Sequence, residues 1–294
     1  MKLRHAQAVA LMVGVTALWS IAGVVTRHLE QARSFEVTFW RSFFTALSLL
    51  VILPLWQGRG VWSRMPWRSP YFWLSGVCWS VMFTAFMLAL TLTAVANVLI
   101  TMALGPLLTA LITRIFLGHQ LPHRTWGAIV LAGVGIGWMY GSQLSLGAPN
   151  FLLGSLVALC VPIAGSVQWT LVQKSHAEGL ELDLVPSVLL GAVISTLLTL
   201  PLAWPFQASG HDVALLAGLG TFQLAIPCAL SVICARVLKA PEVALLALLE
   251  IVFGIALAWL GANEAPQLNV LFGGLLVLSA LLLNEWLGWR NQRV

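Results

Sequence analysis

Glu250 is the residue with the clearest chemical potential in this sequence, because its carboxyl group lies in the middle of an apolar run. The run covers residues 240–260 and contains no lysine or arginine. A carboxylate in such surroundings must be protonated, paired or in contact with water. We consider two roles. The group could carry a proton or bind the ammonium of a solute, or it could brace a neighbouring helix through hydrogen bonds.

Aromatic side chains recur at helical spacing in two other runs. One predicted face carries Trp79, Phe83 and Phe86, and a second carries Pro162, Ser166 and Trp169. A tryptophan in lipid leaves its N–H without a partner, so these residues and Trp19 are expected to face a partly wet interior. Such faces suit apolar or aromatic solutes and can hold an ammonium group by cation–π attraction. Helix–helix packing is the alternative.

Polar residues and prolines coincide in two further runs. Asn97 and Thr101 precede Pro106, and Gln223 precedes Pro227. Proline removes a backbone hydrogen bond, and broken backbone inside an apolar span is tolerated only where it is buried in protein or lines a cavity. These positions therefore predict a binding site or hinges, unless they are packing kinks. The candidate solute-binding residues are Trp19, Trp79, Phe83, Asn97, Thr101, Ser166, Trp169 and Gln223, and the candidate gating or structural residues are Pro106, Pro162, Pro227 and Glu250.

Residue patterns typical of enzymes and metal sites are absent from the sequence. His119 and His123 are four residues apart, but Pro122 intervenes and no third ligand is near. The four cysteines lie inside apolar runs without Cys-x-x-Cys spacing, which is typical of reduced core residues. We therefore predict no catalytic residue, no metal and no cofactor. The positive charges are spread over loops, which argues against a nucleic-acid partner.

The elements that position the candidate residues are predicted to be membrane-spanning helices. Sixty per cent of the 294 residues are apolar and 9% are charged, against about 45–50% and 25% in soluble domains. The apolar residues form ten continuous runs near the ~20 residues that cross a bilayer as a helix. The predicted fold is an all-α polytopic membrane protein with ten helices, at residues 6–27, 35–56, 69–91, 94–116, 124–141, 151–173, 184–204, 212–235, 240–260 and 268–287.

The distribution of positive residues predicts the topology. With the N-terminus in the cytoplasm, the outer loops hold only Arg27 and Arg33, with Arg41 near the outer end of the second run. The inner side then holds Lys2, Arg4, Arg59, Arg64, Arg68, Arg114, Arg124, Lys174, Arg236, Lys239, Arg290 and Arg293. Because Lys and Arg accumulate on the cytoplasmic side, we predict a multi-pass protein of the bacterial inner membrane with both termini cytoplasmic.

The chain also divides into two similar halves. A shift of 145 residues places Glu36 on Glu181, and His119 on Glu264. We predict a first repeat at residues 1–141, a linker at 142–150 and a second repeat at 151–294. Five helices is an odd number, so the halves would be inverted in the membrane, as in many secondary transporters.

Short motifs resemble the EamA-type carriers of the drug/metabolite transporter superfamily. In the first half they are Leu18-Trp19-Ser20, Phe39-Trp40-Arg41-Ser42-Phe43-Phe44, Leu104-Gly105-Pro106-Leu107-Leu108, Leu117-Gly118-His119 and Trp126-Gly127-Ala128-Ile129-Val130-Leu131-Ala132-Gly133. In the second half they are Leu248-Leu249-Glu250-Ile251 and Gly273-Gly274-Leu275-Leu276. His119 and Ile251 depart from the family pattern, which often has Glu and Pro there. Within the superfamily the chain resembles the YddG-type aromatic amino-acid exporters.

The resemblance implies gradient-driven export of amino acids, aromatic ones included, and of related metabolites. We expect a central pocket walled by helices 1, 3, 4, 6, 8 and 9, with the halves rocking about it. The predicted partners are a small-molecule solute and the lipid bilayer. We expect a monomer in which Gly133, Gly137 and Gly141 pack against another helix of the same chain, with a dimer through these glycines as the alternative. A nucleotide-sugar or drug carrier, or a membrane enzyme acting on lipid, are the alternative functions.

Overall fold

The computed structural model describes residues 4–117, 123, 126–128, 130–135, 138, 150–180, 182–238 and 240–291. The predicted linker therefore lies outside the described residues except for Asn150. The same holds for Pro122, His119, Gly137, Gly141, Lys2, Arg124, Lys239 and Arg293.

The described residues form helices and no strands. Six helices are α2 (Ser34–Gln57), α3 (Pro70–Leu92), α5 (Trp126–Gly135), α6 (Phe151–Ala177), α7 (Ser187–Ala203) and α10 (Leu268–Asn291). Four more are built from pieces: α1 (His5–Trp19 and Ile21–Thr26), α4 (Val95–Met102 and Gly105–Leu117), α8 (Gly210–Gly218, Leu219–Ala225 and Ile226–Cys234) and α9 (Ala240–Ala247 and Leu249–Ala262). A single turn at Val61–Arg64 lies between α2 and α3.

Seven of the described helices, α1 to α4, α6, α8 and α9, are long and apolar enough to cross a membrane. The protein is thus a multi-pass membrane protein. Side chains such as Leu55 and Leu260, which are 77% and 81% exposed, face the surroundings because lipid is the solvent there. Eight of the eighteen residues of the predicted fifth span lie outside the described residues, and the number of ten spans and the inverted repeat stay predictions.

Local sequence signals explain where several helices begin and end. Ser209 begins α8 with a capping box, in which its hydroxyl accepts a hydrogen bond from the backbone N–H of Asp212. Pro70 occupies the start of α3, where its missing N–H costs nothing. Gly58 ends α2 with a φ of +80°, which glycine adopts without steric penalty.

Helix α3 lies at the centre of the bundle, packed along α6 and α7. Its approach to α7 is very close, because a Cβ added to Gly191 would lie 2.3 Å from the Cβ of Trp79, and one added to Gly76 would lie 2.5 Å from Leu190. On α5, Gly133 faces open space, whereas Gly135 approaches the carbonyl oxygen of Gly273 on α10. The intramolecular contact of α5 therefore runs through Gly135 instead of the predicted Gly133.

Candidate functional site

A cavity of about 120 Å³ lies in the interior between α1, α2, α3, α4, α6, α8 and α9. All six predicted wall helices contribute to it, and α2 adds Arg41. Its aromatic lining is Trp19, Trp79, Phe83, Phe86 and Trp169, and its polar and thiol groups come from Arg41, Thr109, Ser166, Gln223, Cys228 and Glu250. The remaining lining is formed by Met82, Met102, Gly105, Val161, Pro162, Gly165, Leu224, Ala244, Ala247, Leu248 and Ile251.

The aromatic wall is built from α3 and α6. The ring centroids of Trp79 and Phe83, one turn apart on α3, are separated by 5.5 Å. Trp169 of α6 meets Trp79 edge to face, with centroids 5.9 Å apart and an interplanar angle of 85°. Rings in such contacts are held in place by their neighbours. The indole nitrogen of Trp79 is buried and has no hydrogen-bond partner among the described residues.

Arg41 brings a cation to the lining and is 1% exposed. One terminal guanidinium nitrogen donates to the backbone oxygen of Phe83 at 3.1 Å, and the other donates to Oε1 of Gln223 at 3.4 Å. The guanidinium carbon lies 5.6 Å from the ring centroid of Phe86, within cation–π range. The buried Nε of Arg41 has no hydrogen-bond partner in the part of the chain that the structure describes.

Glu250 brings a carboxyl group to the same lining and is 5% exposed. No described residue donates a hydrogen bond to this carboxyl group, so the bracing contact considered from the sequence is not observed there. Arg41 and Glu250 are both described residues and form no ion pair, since no nitrogen of Arg41 lies within 4.0 Å of an oxygen of Glu250.

The pieces of the four interrupted helices meet at the cavity. Trp19 precedes the break in α1, and Gln223 and Leu224 lie in a π-helical turn of α8. Met102 and Gly105 flank the break in α4, and Ala247 and Leu248 lie at the break in α9. Irregular backbone at membrane depth is tolerated where it is buried in protein or lines a cavity.

A comparison with known protein families identifies the class of the N-terminal half of the chain. Residues 6–141 match the EamA-like transporter family. These residues form an EamA-like transporter domain. The family consists of membrane transporters of the drug/metabolite transporter superfamily, and this fits a function other than catalysis.

The fold of the EamA-like domain and of the rest of the chain is shared with a solved protein. A crystal structure of another protein superposes on 97% of this chain and 98% of its own, with a TM-score of 0.67 and 20% sequence identity. At this identity the similarity concerns the fold alone. No curated protein matches the sequence. The comparisons support the EamA-like family but not the YddG-type subfamily.

Eight of the twelve candidate residues predicted from the sequence line the cavity. They are Trp19, Trp79, Phe83, Pro162, Ser166, Trp169, Gln223 and Glu250. Ser166 also joins α6 to α4, because its hydroxyl donates to Pro162 and accepts from Thr109 at 3.0 Å.

Four predicted residues lie outside the cavity lining. Asn97 is buried and donates from Nδ2 to the hydroxyl of Thr93, and Thr101 donates to the backbone oxygen of Asn97 at 2.7 Å. These groups serve contacts within and between helices of the EamA-like domain. Pro106 and Pro227 lie beside lining residues, near the starts of the second piece of α4 and the last piece of α8.

The sequence prediction missed Arg41. It placed this residue near the outer end of the second span and treated it as part of the topology signal. The structure buries it about two turns inside α2, beside the cavity. The criterion that singled out Glu250, a charge inside an apolar run, applies equally to Arg41 and would have found it.

One end of the bundle is held together by Arg27 and Glu264. The carboxylate of Glu264 accepts from Nε of Arg27 at 2.5 Å and from the backbone N–H of Val95 at 2.7 Å. The remaining guanidinium nitrogens of Arg27 donate to the backbone oxygens of Leu90 and Thr93. This cluster ties the ends of α1, α3 and α9 to the start of α4. In the predicted topology it lies on the outer side.

Proposed function

We propose that the protein is a secondary transporter that exports amino acids with aromatic and other apolar side chains across the bacterial inner membrane. The observation that carries the proposal is the cavity at the meeting point of the four interrupted helices. Its lining is mostly aromatic and aliphatic, with a small number of polar groups, as is typical of sites for small organic molecules.

The aromatic wall supports an aromatic or apolar side chain on the solute. Trp79, Phe83 and Trp169 present faces and edges that can stack on a ring or cover an aliphatic chain. Trp19 of α1 adds a further indole to the cavity lining. Burial of apolar area at such a site provides most of the affinity, so the solutes that bind best should carry the largest apolar groups.

The interrupted helices support alternating access. The 145-residue shift proposed for the two halves places Met102 on Ala247 and Gly105 on Glu250, so the breaks of α4 and α9 fall at related positions. Discontinuous helices at related positions of two repeats surround the substrate site in many secondary transporters. Rocking of the halves about the cavity would then expose it to either side in turn.

Other solutes fit the lining less well. A nucleotide-sugar carrier needs several cations for its phosphates, and Arg41 is the one arginine or lysine in the described lining. A carrier of cationic drugs would benefit from a second acidic residue beside Glu250. An enzyme acting on lipid needs at least two catalytic groups in contact with the substrate.

Counterflow into proteoliposomes tests the proposal. Vesicles that contain the purified protein are loaded with an unlabelled solute, and entry of labelled tryptophan is followed with and without a pH gradient. We expect internal tryptophan, phenylalanine or leucine to accelerate entry, and internal lysine or a nucleotide sugar to have little effect. Acceleration only by a nucleotide sugar or a cationic drug would overturn the proposal.

A further inference from the structure

Three polar groups around the cavity have hydrogen-bonding capacity that no described protein group uses. They are the buried Nε of Arg41 and the buried indole nitrogen of Trp79, together with the carboxyl group of Glu250, which lines the cavity. Buried polar groups are nearly always paired, because an unpaired one loses its hydration without compensation. Two donors and one acid at a single cavity therefore point to a ligand with complementary groups.

The Arg41 side chain is held in place by its neighbours, but not all of its N–H groups donate hydrogen bonds. Hydrogen bonds to Phe83 and Gln223 and the ring of Phe86 hold the guanidinium in place, while Nε keeps its hydrogen free. The bond to Gln223 is long, at 3.4 Å. The guanidinium is a planar fork whose paired N–H groups match a carboxylate. A carboxylate could accept the free Nε hydrogen, while the bonds to Phe83 and Gln223 keep the guanidinium in place.

Glu250 is placed to complement a positive group. It lines the same cavity as Arg41, yet the two side chains are farther apart than an ion pair. Two opposite charges that remain separated at a cavity leave room for a molecule that carries both charges. The carboxyl of Glu250 would meet the positive end, and Arg41 would meet the negative end.

We propose that Arg41 binds the α-carboxylate and Glu250 binds the α-ammonium group of a zwitterionic solute, with the indole N–H of Trp79 as a second donor to the carboxylate. The inference rests on the proposed function and specifies it. The pair makes zwitterions the preferred class, because a solute that lacks either charge leaves one buried group unpaired. The aromatic wall then selects the side chain, and the charged pair selects the amino-acid backbone.

Binding of three related indoles by the purified full-length protein tests this pair. Tryptophan carries both charges, tryptamine lacks the carboxylate and indole-3-propionate lacks the ammonium. Competition against labelled tryptophan is measured for the native protein and for Arg41→Gln, Arg41→Lys and Glu250→Gln. Arg114→Gln and Glu30→Gln are matched controls, because both side chains are exposed and lie outside the lining.

We expect the native protein and both controls to prefer tryptophan over either analogue by roughly 10- to 100-fold, as for hydrogen bonds to charged groups. Arg41→Gln should remove the preference over tryptamine, and Glu250→Gln should remove the preference over indole-3-propionate. Arg41→Lys, which keeps the charge and loses the fork, should retain part of the preference.

If the native protein bound tryptamine and indole-3-propionate as tightly as tryptophan, the proposed roles of Arg41 and Glu250 would be wrong. This outcome is measured on the native protein, so it does not depend on the folding of Arg41→Gln. Retention of both preferences in folded Arg41→Gln and Glu250→Gln would overturn it too. Failure of the proposed function gives a different result, since no amino acid would then bind to the native protein.

Discussion

Glu36 and Asp212 each hold the segment that leads into the other's helix. The carboxylate of Glu36, near the start of α2, accepts from the backbone N–H groups of Gln207 and Ala208, which precede α8. The carboxylate of Asp212, near the start of α8, accepts from the N–H groups of residues 30–32, which precede α2. The two acids thus form a reciprocal connection between neighbouring helix starts.

Loss of the Asp212 carboxylate should destabilise the protein. Asp212→Ala would leave the partly buried N–H groups of residues 30–32 without their acceptor, and an unpaired donor costs about 1–3 kcal/mol when it is fully buried. We expect a loss of about 2 kcal/mol or more, measured as a lower unfolding temperature in detergent. Asp183→Asn, which removes a half-exposed ion pair with Arg236, should change stability by less than about 1 kcal/mol. Equal effects would contradict the special role of Asp212.

Removal of the aromatic wall should reduce transport while the protein still folds. Trp79→Ala and Trp169→Ala each delete one partner of the edge-to-face pair, which contributes about 0.5–1.5 kcal/mol beyond area burial. We expect tryptophan counterflow to fall at least about two- to tenfold. Trp259→Ala is the control, because Trp259 is 56% exposed on α9. Normal counterflow in both wall variants would mean that these rings only pack.

Glu250→Gln should leave stability close to that of the native protein. The carboxyl group accepts no hydrogen bond from a described residue, and a neutral amide of the same shape is cheaper to bury than a charge. Glu36→Gln is the contrasting variant, because that carboxylate accepts from Gln207 and Ala208. Thermal unfolding of both variants tests the prediction. A large destabilisation by Glu250→Gln alone would restore the bracing role.

Close packing of α3 on α7 makes Gly191 a remote determinant of the cavity. A Cβ at this position would lie 2.3 Å from the Cβ of Trp79 and 2.9 Å from the backbone oxygen of Gly76. Gly191→Ala should therefore displace Trp79, cost about 1–3 kcal/mol of stability and lower counterflow. Gly14→Ala has open space around the new methyl group and should be tolerated. Unchanged counterflow in Gly191→Ala would show that α7 moves away from α3 and leaves Trp79 in place.

The Arg27–Glu264 cluster should control access from the outer side. Glu264→Gln weakens the contacts with Arg27 and Val95, and charge-assisted hydrogen bonds are the stronger ones. Native Cys228 lines the cavity and serves as the reporter after the other three cysteines are replaced by alanine. We expect an external, membrane-impermeant thiol reagent to label Cys228 about threefold faster or more in Glu264→Gln. Asp183→Asn should leave the rate unchanged, and equal rates in all proteins would exclude a gate at this cluster.

The apolar runs predicted the helices well, since a run of about 20 apolar residues leaves few alternatives in lipid. The interruptions were harder to predict. Pro106 signals a disturbance of α4, but the breaks at Ser20 and Leu248 carry no proline or glycine. Tertiary packing around the cavity determines them, and a single sequence does not display that packing.

The site was predictable where one helix carries the pattern. Trp79 and Phe83 share a face at fixed spacing, and both line the cavity. Asn97 and Thr101 have the same spacing but lie outside the lining, because periodicity identifies a shared face and not the neighbour that this face meets. Arg41 and Glu250 are far apart in sequence, so only the folded chain shows that they line the same cavity.

The π-helical turn of α8 gives that helix one residue more than an α-helix of the same length would hold. Thr45 of α2 binds the backbone oxygen of Gly220 in this turn, and Gln223 donates from Nε2 to the backbone oxygen of Trp19. Migration of the surplus residue along α8 would rotate each side chain it passes by about 100°. Gln223 would then turn away from Arg41 while both ends of the helix stayed anchored. Such a migration would change the register of α8 between its ends by local rotation alone.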